Sequence, residues 1–339
     1  MKYNIRIIKL LFIIVLLIPC VNIFAQGSGN KYSGEFLATG VGGRPLGMGG
    51  AYVALVNDVT AGYWNPALLS KITYPQFSLM HDWRFGNLVN YNYGAVGFPF
   101  GKDASIGVSM IMLGVDDIPD TRNALQTGLP PGVIRLDPDK ITFFNTTDLA
   151  FFLTYSKKKT DDFSYGANLK IIRRNIAEES AWGLGFDVGA YYSPFKRMML
   201  GANFQDITTT YMTWTTGKKE LITPTLKIGS AYSLDLWKGV LTPVVDFDVR
   251  FENRQSSANA HIGPVSFDMH AGAEYCFLDL VSLRGGYNDI GNLTLGAGIK
   301  LPKINIDYSF AKFDGDEALG NSHRISLTFT LEEDKFKRK

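Results

Sequence analysis

Apolar residues alternate one for one with small or polar residues along most of this chain, in fourteen successive short segments. The stretch 180–194 shows the period plainly. Trp182, Leu184, Phe186, Val188, Ala190 and Tyr192 form one face, and Gly183, Gly185, Asp187, Gly189 and Tyr191 form the other. A strand sends successive side chains to opposite sides, so each segment is a ribbon with one apolar face. The spacing predicts strands over 77–83, 91–99, 103–114, 146–158, 162–176, 180–194, 198–208, 222–235, 240–252, 263–276, 279–288, 292–300, 302–312 and 321–331. Fourteen is even, as single-chain bacterial outer-membrane barrels require, and lipid is the natural partner of so much apolar strand face. The expected fold is all-β: a 14-stranded antiparallel transmembrane barrel over 77–331.

Connection lengths support that reading. Taken in order, the even connections are short, near 101–102, 157–162, 194–197, 235–239, 278 and 302. The long ones, near 115–145, 207–221, 253–262 and 313–320, are all odd. Short periplasmic turns and longer external loops are the rule for such barrels.

Residues 1–25 read as a signal peptide. Lys2, Arg6 and Lys9 precede an apolar run from Leu10 to Ile18 that is too short to span a bilayer, and Ala25 suits cleavage. Cys276 is then the single cysteine, so no internal disulfide is expected. A formal net charge of +2 and the absence of a basic run with interleaved aromatics exclude nucleic acid as a partner. The 23 Phe and 16 Tyr suit interfacial belts at the two membrane surfaces. Residues 332–339 form a charged tail expected in the periplasm.

On several strands ionisable residues lie opposite the apolar face: Lys170, Asp187, Asp246, Asp248, Arg250, Asp268, His270, Glu274, Arg284, Asp307 and Arg324. A charge facing lipid costs up to about 2–4 kcal/mol at mid-membrane, so these point into the lumen and pair there. They read as structural pairs. Asp268, His270 and Glu274 form the one trio suggestive of chemistry. The four histidines, however, are scattered in no catalytic spacing, and no metal set or cofactor site is expected. Asp314, Asp316 and Glu317 read as a solvated loop.

Residues 26–76 break the pattern. They are glycine-rich and apolar but do not alternate, and a segment this apolar ahead of a barrel should plug the lumen. Leu46 to Val56 suits a short, closely packed helix, Asp58 suits a cap for the next turn, and Pro66 stops pairing. A Gly47-Met48-Gly49-Gly50 phosphate loop is rejected, because it lacks the Lys-Ser/Thr ending.

The ordered set Leu46-Gly47-Met48-Gly49-Gly50, Asn57-Asp58 and Trp64-Asn65-Pro66 resembles the hatch of the PorV/PorQ family, within the wider FadL-like group of outer-membrane barrels. The closing strand Ser322-His323-Arg324-Ile325-Ser326-Leu327 extends the likeness. The resemblance implies a hatch-plugged barrel and a non-enzymatic role in type IX secretion, with secretion-system proteins or exported cargo as partners. Apolar residues in the 115–145 loop, including Leu125, Leu129 and Ile134, fit that role, since large exposed apolar patches mark partners. The alternative is a FadL-like carrier of fatty acids or another hydrophobic ligand.

Overall fold

The computed structural model describes residues 34–84, 88–126, 135–251, 254, 257–312 and 321–338. The expected signal peptide, much of the 115–145 loop tip and the Asp314–Glu317 acids lie outside the described residues.

One antiparallel sheet closes into a barrel of fourteen staves. They are β1 Gln76–Arg84, β2 Val89–Phe100, β3 Ala104–Asp120, β4 Thr142–Lys158, β5 Phe163–Ile176 and β6 Glu179–Tyr192. Stave β7 has two segments, Met198–Gln205 and Thr210–Trp214. So has β8, Lys219–Ile222 and Thr225–Tyr232, with a short extension Leu234–Leu236. Then follow β9 Gly239–Arg250, β10 Val265–Phe277, β11 Val281–Tyr287, β12 Leu293–Lys300, β13 Ile304–Ala311 and β14 Ser322–Thr330. Closure is made by β14 on β1, in register from Gln76↔Thr330 to Trp83↔His323. Closing the sheet leaves no open edge, which lipid could not satisfy.

The alternation has the sense expected of a barrel in lipid. On β6, Trp182, Leu184, Phe186, Val188 and Tyr192 face outward and are exposed, while Gly183, Asp187, Gly189 and Tyr191 are buried inside. The core therefore lies in the lumen, where it surrounds residues 34–75.

Two loop expectations are corrected. The 207–221 stretch is largely strand, Thr210–Trp214 pairing with Lys219–Ile222 around a tight turn. Staves β3 and β4 likewise run on together past a bulge between Val115 and Ile118, to Asp120↔Thr142. Both hairpins carry enough Thr, Tyr, Trp and Phe to keep pairing beyond the apolar band. The short-turn end and the long-loop end remain at opposite rims, and in outer-membrane barrels generally the long-loop end is the external one.

Candidate functional site in the hatch and lumen

The lumenal segment has very little regular structure: α1 Glu35–Ala38, α2 Gly43–Leu46, α3 Ala61–Trp64 and a 3-10 turn Pro66–Lys71. The helix expected over Leu46 to Val56 is absent. The α2 helix stops at Leu46, and Gly49 (φ 69°) and Gly50 (φ 84°) then take left-handed conformations that no helix continues. Asp58 does supply a local acceptor: its Oδ1 takes the Thr60 N–H at 2.8 Å, just ahead of α3.

Trp64, Asn65 and Pro66 lie inside the barrel, fully buried. The Trp64 indole N–H donates to the Val41 carbonyl at 2.9 Å. Asn65 Nδ2 donates to the Val53 and Ala190 carbonyls, and its Oδ1 accepts the Ala67 N–H, which caps the 3-10 turn behind Pro66. Leu46, Met48, Gly47, Gly49 and Gly50 are buried, whereas Asn57 is exposed and accepts from Arg44 Nη1 at 2.7 Å.

With so little secondary structure of its own, the hatch takes its backbone partners from the wall. Asp246 Oδ2 on β9 accepts the Tyr52 and Val53 N–H groups at 2.5 and 2.8 Å. Asn168 on β5 donates to the Gly62 carbonyl, and Asn203 on β7 to that of Trp64. Ser156 on β4 donates to the Ala67 carbonyl and accepts the Ser70 N–H. Thr294 on β12 donates to Gly47, Ser326 on β14 accepts from Gly43, and His270 on β10 meets the Gly49 carbonyl at 2.8 Å. Buried backbone groups must be paired, and here lumenal side chains do the pairing.

Glycines let the hatch backbone approach the wall. Three cross-strand pairs face it: Gly166↔Gly189, Gly201↔Gly229 and Gly272↔Gly286. A Cβ on Gly201 would lie 2.3 Å from the Val53 carbonyl oxygen, and one on Gly286 2.2 Å from the Met48 carbonyl carbon. Only glycine fits at such an approach.

The lumenal charges are paired with one another and with the hatch. Lys170 bridges Asp187 and Asp206 at 3.1 and 2.8 Å. Lys227 pairs with Asp248, and Arg250 lies between Asp248 and Asp268, which also binds Arg254. Glu274 grips the hatch residue Arg44 through two bonds of 2.7 and 2.8 Å and also binds Arg284, which reaches Asp307. Arg324 binds Asp82 at 3.0 Å. The Asp268–His270–Glu274 trio does not assemble: His270 turns to Gly49 and lies 3.6 Å from Asp248.

Arg44 and Asp82, both central to these networks, escaped the sequence reading. Asp82 does lie on the lumenal parity of β1, which was the available signal. Burial opposes the Arg44 charge, but Glu274, Tyr52 and Asp58 outweigh it and hold the guanidinium well above its usual range. Burial, with Arg44 nearby, lowers Lys71 to about 8, although its ammonium lies 3.8 Å over the Tyr191 ring.

Two spaces flank the hatch. Toward the short-turn end lies a polar vestibule of about 890 Å3, roofed by Arg44, Asn57 and Asp58 and rimmed by Trp237, Lys238 and Lys303. On the opposite side a space of about 60 Å3 lies between α1, Tyr63, Phe152, Lys170 and the β7–β8 wall. Strand pairing is interrupted at that point. Pairing between β7 and β8 stops at Gln205↔Thr225 and resumes at Thr210↔Ile222, so 206–209 oppose only 223–224. Asp206 and Thr209 there have φ of 51° and 57°. Toward β6, among the described residues, the one backbone bond across the break runs from the Ile207 N–H to the Phe186 carbonyl.

No family model and no curated relative matches the chain. Solved structures do. A Pseudomonas aeruginosa FadL homologue aligns with TM-score 0.55 and 13% identity over 86% of this chain and 98% of its own. CymD, a monoaromatic hydrocarbon channel, aligns with TM-score 0.56 and 13% identity over 87% and 98%. The Pseudomonas putida toluene transporter TodX aligns with TM-score 0.54 and 12% identity over 85% and 96%. At such identities the likeness is one of fold: this chain has the FadL-like barrel architecture.

Proposed function

We propose that the protein is a non-enzymatic outer-membrane channel for small hydrophobic compounds, in which solute leaves the lumen through the barrel wall. The wall break between β7 and β8 carries the reading. The hatch blocks the axial route with backbone-to-wall bonds and ion pairs, and the space beneath it is lined by charge. The break beside the upper space offers a route to lipid instead. The names of the FadL-like neighbours, a hydrocarbon channel and a toluene transporter, favour the same reading.

The type IX secretion role implied by the PorV/PorQ resemblance rests on the hatch motif alone. None of these neighbours is named as a secretion component, and Leu129–Ile134 of the supposed contact loop lie outside the described residues.

Deleting Ile207 and Thr208 makes 206–209 match 223–224 in length without changing side-chain parity, and so repairs the wall. Cells with a lipopolysaccharide-bearing outer membrane and no other such channel are expected to take up radiolabelled toluene or oleate when they express the protein. The deletion should lower that uptake at least fivefold, while the barrel keeps its heat-dependent gel mobility. Equal uptake with and without the protein, together with co-purification of exported proteins, would replace this reading with the secretion role.

A further inference from the structure

The lipid-facing parity of the staves is almost free of charge. With β3 counted to Val115, the described outward positions carry a lysine, arginine or carboxylate at three places only: Lys157 at the short-turn rim, and Arg173 and Lys219 near the external rim. The latter two share one row across four neighbouring staves, Arg173↔Trp182↔Thr213↔Lys219. The next outward row toward the membrane centre is wholly apolar or aromatic: Ile171↔Leu184↔Tyr211↔Leu221. One two-residue step, about 7 Å of strand, thus separates acyl-chain contacts from cations.

Neither cation has a carboxylate partner among the described residues. Arg173 donates only from Nε, to Asn175 Oδ1 at 3.3 Å, and its guanidinium lies 4.9 Å from the centre of the Trp182 ring. Stacking on Trp182 orients the guanidinium and leaves its Nη groups without a protein acceptor among those residues. Lys218, the neighbour of Lys219, pairs with Glu220, so the free charge belongs to Lys219.

We propose that this row binds a phosphorylated lipid headgroup of the outer leaflet. A guanidinium recognises phosphate through paired N–H donors, and an ammonium does so as a point charge. The two cations stand three stave spacings apart, roughly 14 Å, which suits a headgroup carrying two phosphates. A charge on the lipid face is tolerated near the interface but disfavoured at the midplane, so both residues belong at headgroup depth. The proposal is independent of what crosses the channel.

The probe is bis-phosphorylated lipid A, titrated into detergent-solubilised full-length protein and followed by native mass spectrometry. Arg173→Gln with Lys219→Gln should weaken its binding at least tenfold, with gel mobility unchanged. Lys157→Gln, at the other rim, should leave it as in the wild type. Dephosphorylated lipid A and phosphatidylethanolamine should bind the wild type no better than the double variant, and added NaCl should erase the difference. Equal lipid A binding by wild type and double variant would overturn the proposal. So would full displacement by equimolar inorganic phosphate, since the site would then be one for the free anion.

Discussion

At the residue scale, glycine and lumenal polar side chains divide the work of seating the hatch. Glycines supply contact where backbone meets backbone, and Asp246, Asn168, Asn203, Ser156 and Thr294 supply the hydrogen bonds. Gly201→Ala or Gly286→Ala forces a methyl into the hatch backbone, and overpacking of that kind costs about 1–3 kcal/mol. Gly285→Ala, one residue away but facing lipid, meets only Leu295 at 4.0 Å and should be neutral. Urea midpoints followed by gel mobility should fall for the first two and stay fixed for the third. Lys71 adds a pH dependence. Its folded value of about 8 lies below the ordinary 10.5, so the folded state binds protons less readily than the unfolded chain. The resulting penalty is fully present below pH 8 and disappears as pH rises to 10.5, and stability should rise across that window. Lys71→Met should remove that rise from a series of urea midpoints, and an unchanged slope would show that Lys71 does not contribute to it.

At the scale of elements, the staves were legible because each has water-filled or hatch-filled space on one side and lipid on the other. That asymmetry writes itself as period two, and β6 carries it without interruption from Trp182 to Tyr192. The lumenal charges were legible for the same reason: a carboxylate such as Asp187 or Asp248 on a stave can face only inward. Their partners were less so. Pairing depends on cross-stave register, and the sequence does not announce that Asp246 would hold backbone rather than a cation. The hatch was legible as a plug but not in its conformation. Its apolar content suggested a helix, yet Gly49, Gly50 and the wall's hydrogen bonds offered the backbone a better arrangement than its own helical one. The wall break went unseen because Asp206, Ile207 and Thr208 read as the end of the strand expected over 198–208, running into a loop; only the resumed pairing at Thr210↔Ile222 shows a stave continuing beyond them.

At the scale of the molecule, hatch and barrel complete each other. Residues 34–75 hold three four-residue helices and one 3-10 turn, far short of what an isolated segment needs to keep structure in water. Conversely, without the hatch Asp246 would lose the Tyr52 and Val53 N–H donors and Glu274 the Arg44 guanidinium, leaving those lumenal acceptors to water. Even the chain's end joins in. The Arg338 N–H donates to the Thr73 carbonyl, and its Nη2 donates to the Ile72 carbonyl and Ser105 Oγ, strapping the tail across the junction of hatch and β1. Such mutual dependence predicts one cooperative transition rather than a plug that melts inside a standing barrel. A thiol introduced into the hatch as Ser70→Cys, in a Cys276→Ser background, reports the hatch by its labelling rate, while circular dichroism near 218 nm reports the staves. In a urea series the two midpoints should coincide. Labelling of the introduced thiol that appears well before strand signal is lost would mean that the hatch unfolds alone, and that the wall's polar side chains are satisfied by water rather than by the hatch.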